Sequence, residues 1–356
     1  MVDQENFRLC QEVNIRFFGY DLVFHKPART SRDVLHTRKV WFLILHEEST
    51  GFSGVGECAP IPGLSVESTS DVEKALLALQ HSIPNVEQFS SILQKKPSIR
   101  FALETAIRDL KSGGKRLLFP HTSWRPIPIN GLVWMNEIDA MKVEARKKIA
   151  DGFHVVKLKV GAHDFLAELE MIRELRNEFP DIIIRLDANG AFKPEEALSR
   201  LNVLAEYGIH SIEQPIRQGQ WKHMSALIKE SPIPIALDEE LIGMNSRSDK
   251  QKMLDELRPH FLILKPTLHS GMSGCDEWIE LAAQYECDWW ATSALESSIG
   301  LNAIAQWVLG HQTSLPQGLG TGMLFENNLT SPWKIDHGML IFDHEVAWDD
   351  KGLLLS

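Results

Sequence analysis

From residue 125 onward, apolar residues fall into short runs separated by longer amphipathic stretches. Runs at 127–132, 155–160, 182–187, 211–214, 233–238, 261–265 and 288–292 are rich in Val, Ile, Leu or Trp and predict seven strands, with 317–320 as an eighth of thinner pattern. Between them, residues 137–150, 165–179, 194–207 and 273–285 carry apolar positions at helical spacing and predict amphipathic helices. Near-continuous apolar strands that alternate with helices suit a parallel sheet covered by those helices, so the fold class expected is α/β with a barrel.

The chain before this region has a different texture. Alternating stretches at 13–18 and 40–46 predict antiparallel strands joined by the polar segment 25–36. GVGECAPIPGLS, at 54–65, reads as a turn-rich loop, followed by helical patterns at 71–82 and 98–112. Gly113–Gly114 ends the second helix and opens a linker. Short strand-like runs at 333–356 predict a tail that folds back. The expected organisation is an α+β domain over 1–124, a barrel of seven or eight βα units over 125–325, and a segment 326–356 that returns to the first domain. A chain of 356 residues can hold a barrel of roughly 250 residues and a smaller domain beside it.

Composition adds exclusions. With 48 acidic against 37 basic residues, the net charge of −11 argues against nucleic acid or an anionic membrane surface as partner. Cys10, Cys58, Cys275 and Cys287 form no C-x-x-C pair, so neither a zinc site nor a disulfide framework is indicated. No signal-peptide pattern and no membrane-length apolar run is visible, which makes the cytoplasm the expected address. Oligomeric state is not legible.

The candidate chemistry lies at the strand ends. Lys159, Asp187, Glu213, Asp238 and Lys265 follow one another at steps of 28, 26, 25 and 27 residues, each closing a short apolar run. One step is a strand, a helix and two loops, and in a (β/α)8 barrel each such step returns to the same mouth. A lone carboxylate after a strand is more often a helix N-cap, but three in register are hard to explain that way. Hard oxygen ligands without histidine or cysteine suit Mg²⁺ or Mn²⁺. Lys157 and Lys159 flank Leu158 and so point to one side of their strand, into the barrel. Like-charge crowding and a nearby cation would depress a lysine pKa and favour a neutral amine base. Such a base facing a divalent metal suits removal of a weakly acidic proton next to a carboxylate. Other signals are weaker: the glycine cluster at 318–322 fits a tight turn as well as an anion site, no G-x-S-x-G or H-E-x-x-H is present, and Trp289–Trp290 reads as packing.

Taken together, KLK, LDAN, IEQP, LDEE and LKP resemble the muconate-lactonizing-enzyme subgroup of the enolase superfamily. The resemblance implies an enolase-like fold, an N-terminal α+β capping domain with a modified (β/α)8 (TIM-type) barrel. It implies Mg²⁺ (or Mn²⁺) on Asp187, Glu213 and Asp238, with Lys159 as base, Lys157 assisting and Lys265 facing the substrate from the other side. Asn189 and Glu239 would support the metal ligands. SALESSIGL at 293–301, GLGTGMLFENNL at 318–329 and GECAPIPGLS look like the corresponding stretches of o-succinylbenzoate synthases. That likeness implies a hydro-lyase of menaquinone biosynthesis that converts 2-succinyl-6-hydroxy-2,4-cyclohexadiene-1-carboxylate to 2-succinylbenzoate, a small-molecule carboxylate reaction. Substrate contacts are expected from Ser293, Gly320, Thr321, Arg29 and Pro60, and loops 25–32 and 54–65 are expected to close over the mouth. The subgroup also holds N-succinylamino acid racemases and dipeptide epimerases, and a barrel that binds small acids without catalysis is the alternative of another class. The absence of an acidic residue in 318–322 disfavours a dipeptide epimerase, and Glu240 stands where the subgroup often has serine.

Overall fold

The computed structural model describes residues 13–29, 34–81, 93, 95–119, 124–349 and 352. The N-terminal part is a three-stranded antiparallel sheet, β1 (Val13–Arg29), β2 (Val34–Glu47) and β3 (Phe52–Cys58), with helices Thr69–His81 and Pro97–Lys111. Strand alternation gives β2 two jobs. Trp41, Leu43 and Leu45 pack on Ile99, Ala102, Leu103 and Ala106 of the second helix. Val40, Phe42 and Ile44 face the other way, onto Leu295, Ile299 and Phe325 of the larger domain. Both faces are buried, so this sheet cements the two domains.

Two sequence expectations change here. Residues 54–58 are not loop but the C-terminal part of β3. Gly54 and Gly56 suggest a turn, yet they are there because a helix lies against the strand. A Cβ on Gly54 would stand 2.0 Å from Ala106 O, and one on Gly56 1.8 Å from Ala102 O. Residues 25–29 and 34–36 likewise extend β1 and β2, leaving less connection than the polar composition suggested.

After β4 (Ile127–Pro128) come seven parallel strands in sequential order: β5 (Gly131–Val133), β6 (Val155–Lys159), β7 (Ile183–Asp187), β8 (Ser211–Glu213), β9 (Ile235–Leu237), β10 (Phe261–Leu264) and β11 (Asp288–Ala291). Helices Ile138–Ala150, Phe165–Glu178, Pro194–Ala205, Trp221–Glu230, Arg247–Leu257 and Gly271–Ala282 fill the steps between them, and Ser298–Leu309 follows β11. The expected eighth strand is reduced to a staple. Gln317 bridges Ile129, and Gly318 bridges Thr292, closing the sheet onto itself. A Cβ on Gly318 would meet Thr292 Oγ1 at 2.5 Å, so only glycine lets the ends approach.

The tail divides its contacts. Glu326 N donates to Val23 O (2.8 Å) and Val23 N to Asn327 Oδ1 (2.8 Å), which ties this stretch to β1. The hairpin β12 (Trp333–Asp336) and β13 (Met339–Phe342) instead pairs with β4 at the start of the barrel. Leu340 and Trp333 are buried in the barrel core cluster. Trp289 packs on Trp307 and His311, and Trp290 on Phe261, so both are packing residues.

Candidate active site

The strand ends converge because parallel register carries them there. Lys159 pairs with Asp187 across β6 and β7, and Asp187 with Glu213 across β7 and β8. Glu213 then pairs with Ala236, and Ala236 with Phe261, so Asp238 and Lys265 sit higher along their own strands. That progressive offset is the stagger of a closing barrel.

Three lysines reach the three carboxylates. Lys157 Nζ lies 2.9 Å from Glu213 Oε2 and 3.1 Å from Asp187 Oδ2. Lys159 Nζ lies 2.7 Å from the same Asp187 oxygen and 2.6 Å from Asn189 Oδ1. Lys265, from the far arc of the barrel, pairs with Asp238 Oδ2. Asn189, in the left-handed conformation that asparagine tolerates, donates to Glu239 Oε1 at 3.0 Å. Glu240 is turned away from this cluster. It accepts from Gly219 N (2.9 Å), Trp221 Nε1 (2.6 Å) and Gln214 Nε2 (3.3 Å), anchoring the start of helix Trp221–Glu230.

Charge is unevenly settled. Burial raises the Asp187 carboxyl, but Lys159 and Lys157 outweigh it and hold the group well below the usual carboxylate range. Burial and the neighbouring Asp187 push Glu213 up to about 7 despite Lys157. Asp238 and Glu239 are also raised, by burial first. The like-charge part of the expectation for the lysines does not hold for two of the three. Burial works against the ammonium of Lys157, yet Glu213 and Asp187 more than offset it and its pKa lies above the ordinary lysine value. Lys265 is raised in the same way, by Asp238 and Glu213 against burial. Acidic neighbours, not like charges, surround these amines.

Among the described residues no three acidic, histidine or cysteine groups stand close enough to grip one ion directly, and the Lys157 ammonium is paired with both Asp187 and Glu213. Yet Glu213 Oε1 and Asp238 Oδ1 are buried with no hydrogen-bond partner. Buried carboxylate oxygens left bare need a proton or a cation, and hard oxygens favour a hard ion. The bare oxygens of Glu213 and Asp238, beside Asp187, are therefore compatible with a hard divalent ion such as Mg²⁺.

Above the cluster opens a cavity of about 190 Å³, lined on its polar side by Lys157, Lys159, Asp187, Asn189, Asp238, Glu239 and Lys265. Ser293, Gly320 and Thr321 line it too. Pro60 is absent from the lining; its carbonyl accepts from Arg38, and the adjacent Ile61 and Pro62, with Leu64, face the cavity instead. Arg29 closes β1, and its side chain lies outside the described residues, as do residues 30–32 of the expected loop. Sequence reasoning missed the apolar wall, Leu35, Leu132, Trp134 and Leu295, and the polar Asn130 and Thr292. Asn130 Oδ1, Thr292 Oγ1 and Thr321 Oγ1 are buried there without a partner. No local pattern flags an isolated Asn or Thr; only their place at strand ends could have done so.

The family model described as "Enolase C-terminal domain-like" matches residues 140–346, and "MenC, N-terminal domain" matches 13–110. An o-succinylbenzoate synthase of Desulfotalea psychrophila (strain LSv54 / DSM 12343) is 41% identical over 357 residues, spanning 90% of this chain and 96% of the relative. The crystal structure of MenC from Desulfotalea psychrophila LSv54 aligns with a TM-score of 0.81 at 38% identity, over 93% of this chain and 99% of that one. A dipeptide epimerase of Cytophaga hutchinsonii, crystallised with Mg and D-Ala-L-Val, aligns with a TM-score of 0.83 at 21% identity, over 96% and 97%. That last likeness is one of fold alone.

Proposed function

Because the chain belongs to the o-succinylbenzoate synthase family, a family of hydro-lyases within the enolase superfamily, we propose that Lys159 carries both proton transfers of the dehydration while Lys265 acts by its charge. The reaction turns 2-succinyl-6-hydroxy-2,4-cyclohexadiene-1-carboxylate into 2-succinylbenzoate. Lys159 takes the proton α to the ring carboxylate. The ring then expels its hydroxyl, and Lys159 returns the proton to that oxygen on the same face, so water leaves and the ring becomes aromatic. Lys265 stays charged across the cavity beside the enolate, a role its raised pKa suits. Asp187, Glu213 and Asp238 would hold a divalent ion, which would supply positive charge to the substrate carboxylate as negative charge builds there. Mg²⁺ fits this donor set, and Mn²⁺ would serve in its place.

Lys157 compensates Asp187 and Glu213, and Asn189 holds Lys159 and Glu239 in place. Asn130, Thr292, Ser293, Thr321 and Gly320 would meet the polar atoms of the succinyl arm, against the wall of Leu35, Ile61, Leu64 and Trp134. The observation that carries this reading is the presence in one cavity of Lys159 from β6 and Lys265 beyond β10, each bonded to a different carboxylate. The substrate is a free small molecule, and a cytoplasmic setting fits a chain in which no described helix is long and apolar enough to cross a membrane.

Two lysines on opposite sides also suit racemisation of N-succinylamino acids, which needs a proton donor or acceptor on each face. An ultraviolet assay for aromatisation with Mg²⁺, run beside N-succinylamino acids, separates the readings. Dehydration at the higher kcat/KM supports the lyase; racemisation alone, with no aromatic product, would sink it.

A further inference from the structure

The lining residues Thr292–Leu295 and the cap residues Ile61–Leu64 belong to different domains, yet one buried polar assembly holds both. Glu57, on β3 of the cap, is fully buried and does not line the cavity. Its carboxylate accepts from Ser297 N (2.8 and 3.1 Å), Ser297 Oγ and Gly300 N (2.8 Å). It thereby satisfies the first turn of barrel helix Ser298–Leu309, whose own Ser297 hydroxyl also caps Ile299 N at 3.1 Å. Gly300 is a point of close approach between the two domains. A Cβ there would lie 2.9 Å from Glu57 Oε2 and 2.6 Å from Glu296 Cβ.

Arg38, on β2, completes the assembly from the cap side. Its guanidinium donates to Ala59 O and Pro60 O, and to Ala294 O at 3.4 Å. Glu296 binds the barrel side, accepting from Ser293 Oγ (2.6 Å), Ala294 N (2.8 Å) and Thr267 Oγ1. The loop that walls the substrate cavity after β11 is therefore fastened at Ala294 by Arg38 and at Ser297 by Glu57, both from the cap.

We infer that Glu57, with Arg38, is a positioning residue that sets the distance between cap loop 59–64 and barrel loop 292–297, and so fixes the fit of the substrate arm without touching it. This rests on the lyase reading for the choice of ligand. A carboxylate that accepts from three donors across a domain boundary holds that spacing more rigidly than apolar contact would, because losing it leaves buried donors bare. The chemistry at Lys159 and the metal carboxylates is built on β6 to β9 and does not depend on this fastening.

The test uses Glu57→Gln, which keeps the shape but sets an amide donor against Ser297 or Gly300, and Gly300→Ala, which forces the contact apart. Both should raise KM for the dehydration substrate, and Kd for 2-succinylbenzoate, by about tenfold, with kcat and Mg²⁺ affinity within about twofold of wild type. Unchanged KM and product affinity in either folded variant would overturn the inference, and so would a fall in kcat at constant KM. If Glu57→Gln fails to fold, Gly300→Ala decides. A wild type that binds product but does not dehydrate the substrate would instead refute the lyase reading, while product affinity would still report the positioning.

Discussion

Lys159 and Asp187 are register partners on adjacent parallel strands, and their side chains meet at 2.7 Å at the mouth of the barrel. The proposed base thus touches a proposed metal ligand, and two strands fix both. Side chains carried by strand ends, not by loop tips, need little reorganisation when charge develops, which is how a preorganised site acts on a weakly acidic proton.

Metal affinity should depend on pH in a definite sense. Glu213 has a pKa pushed up to about 7, so below that value an ion must displace its proton. Calorimetric Mg²⁺ affinity is expected to rise from pH 6 to about 8 and then level, with proton release on binding at the lower end. The same shift penalises the metal-free fold. The folded pKa exceeds the unfolded one, so the penalty is absent at low pH and grows as pH rises from the ordinary carboxylate range to about 7. Glu213→Gln should flatten both profiles; unaltered profiles would mean another group titrates.

Chelation should abolish turnover, and Mg²⁺ should restore it. Asp187→Asn and Asp238→Asn are expected to lose ion binding outright, whereas Asn189→Ala should weaken it by roughly tenfold, the usual cost of removing a supporting partner. Full activity in metal-free protein would reject the assignment of all three ligands.

Glu240 offers a prediction that separates stability from catalysis. Its carboxylate is buried and serves Gly219, Trp221 and Gln214, not the cavity. Glu240→Ser should cost about 3 kcal/mol of stability through orphaned donors, seen by denaturant unfolding, and alter Trp221 emission. Mg²⁺ affinity should hardly move. Loss of Mg²⁺ binding without loss of stability would place Glu240 in the metal site after all.

Strand ends were legible in the sequence because the barrel repeats one unit, and a charged residue closing each apolar run is visible without any tertiary knowledge. The lysine pair around Leu158 was legible for the same reason. What was not legible depends on packing between distant segments. Gly54 and Gly56 look like turn residues and are strand residues under a helix. Residues 317–320 read as a thin eighth strand, yet only Gln317 and Gly318 make bridges, and these isolated bridges close the barrel. Depressed lysines were expected from like-charge crowding together with a nearby cation; on the first count Lys157 and Lys265 each face carboxylates more closely than other amines. Arg38 gave no signal, and Glu57 was visible only as part of the GECAPIPGLS stretch, with nothing to show its role, since buried polar staples follow no periodicity.

The account turns on unequal lysines, and the most direct measurement follows dehydration and α-proton exchange with deuterated solvent in three variants. Lys159→Ala should lose both. Lys265→Ala should lose dehydration by an electrostatic deficit of roughly 3–4 kcal/mol. Lys265→Arg, which keeps the charge but is a poor base, should retain more dehydration than Lys265→Ala and stop any racemisation. Lys159→Ala that still dehydrates, with Lys265→Arg as inactive as Lys265→Ala, would put the base on the other side of the site.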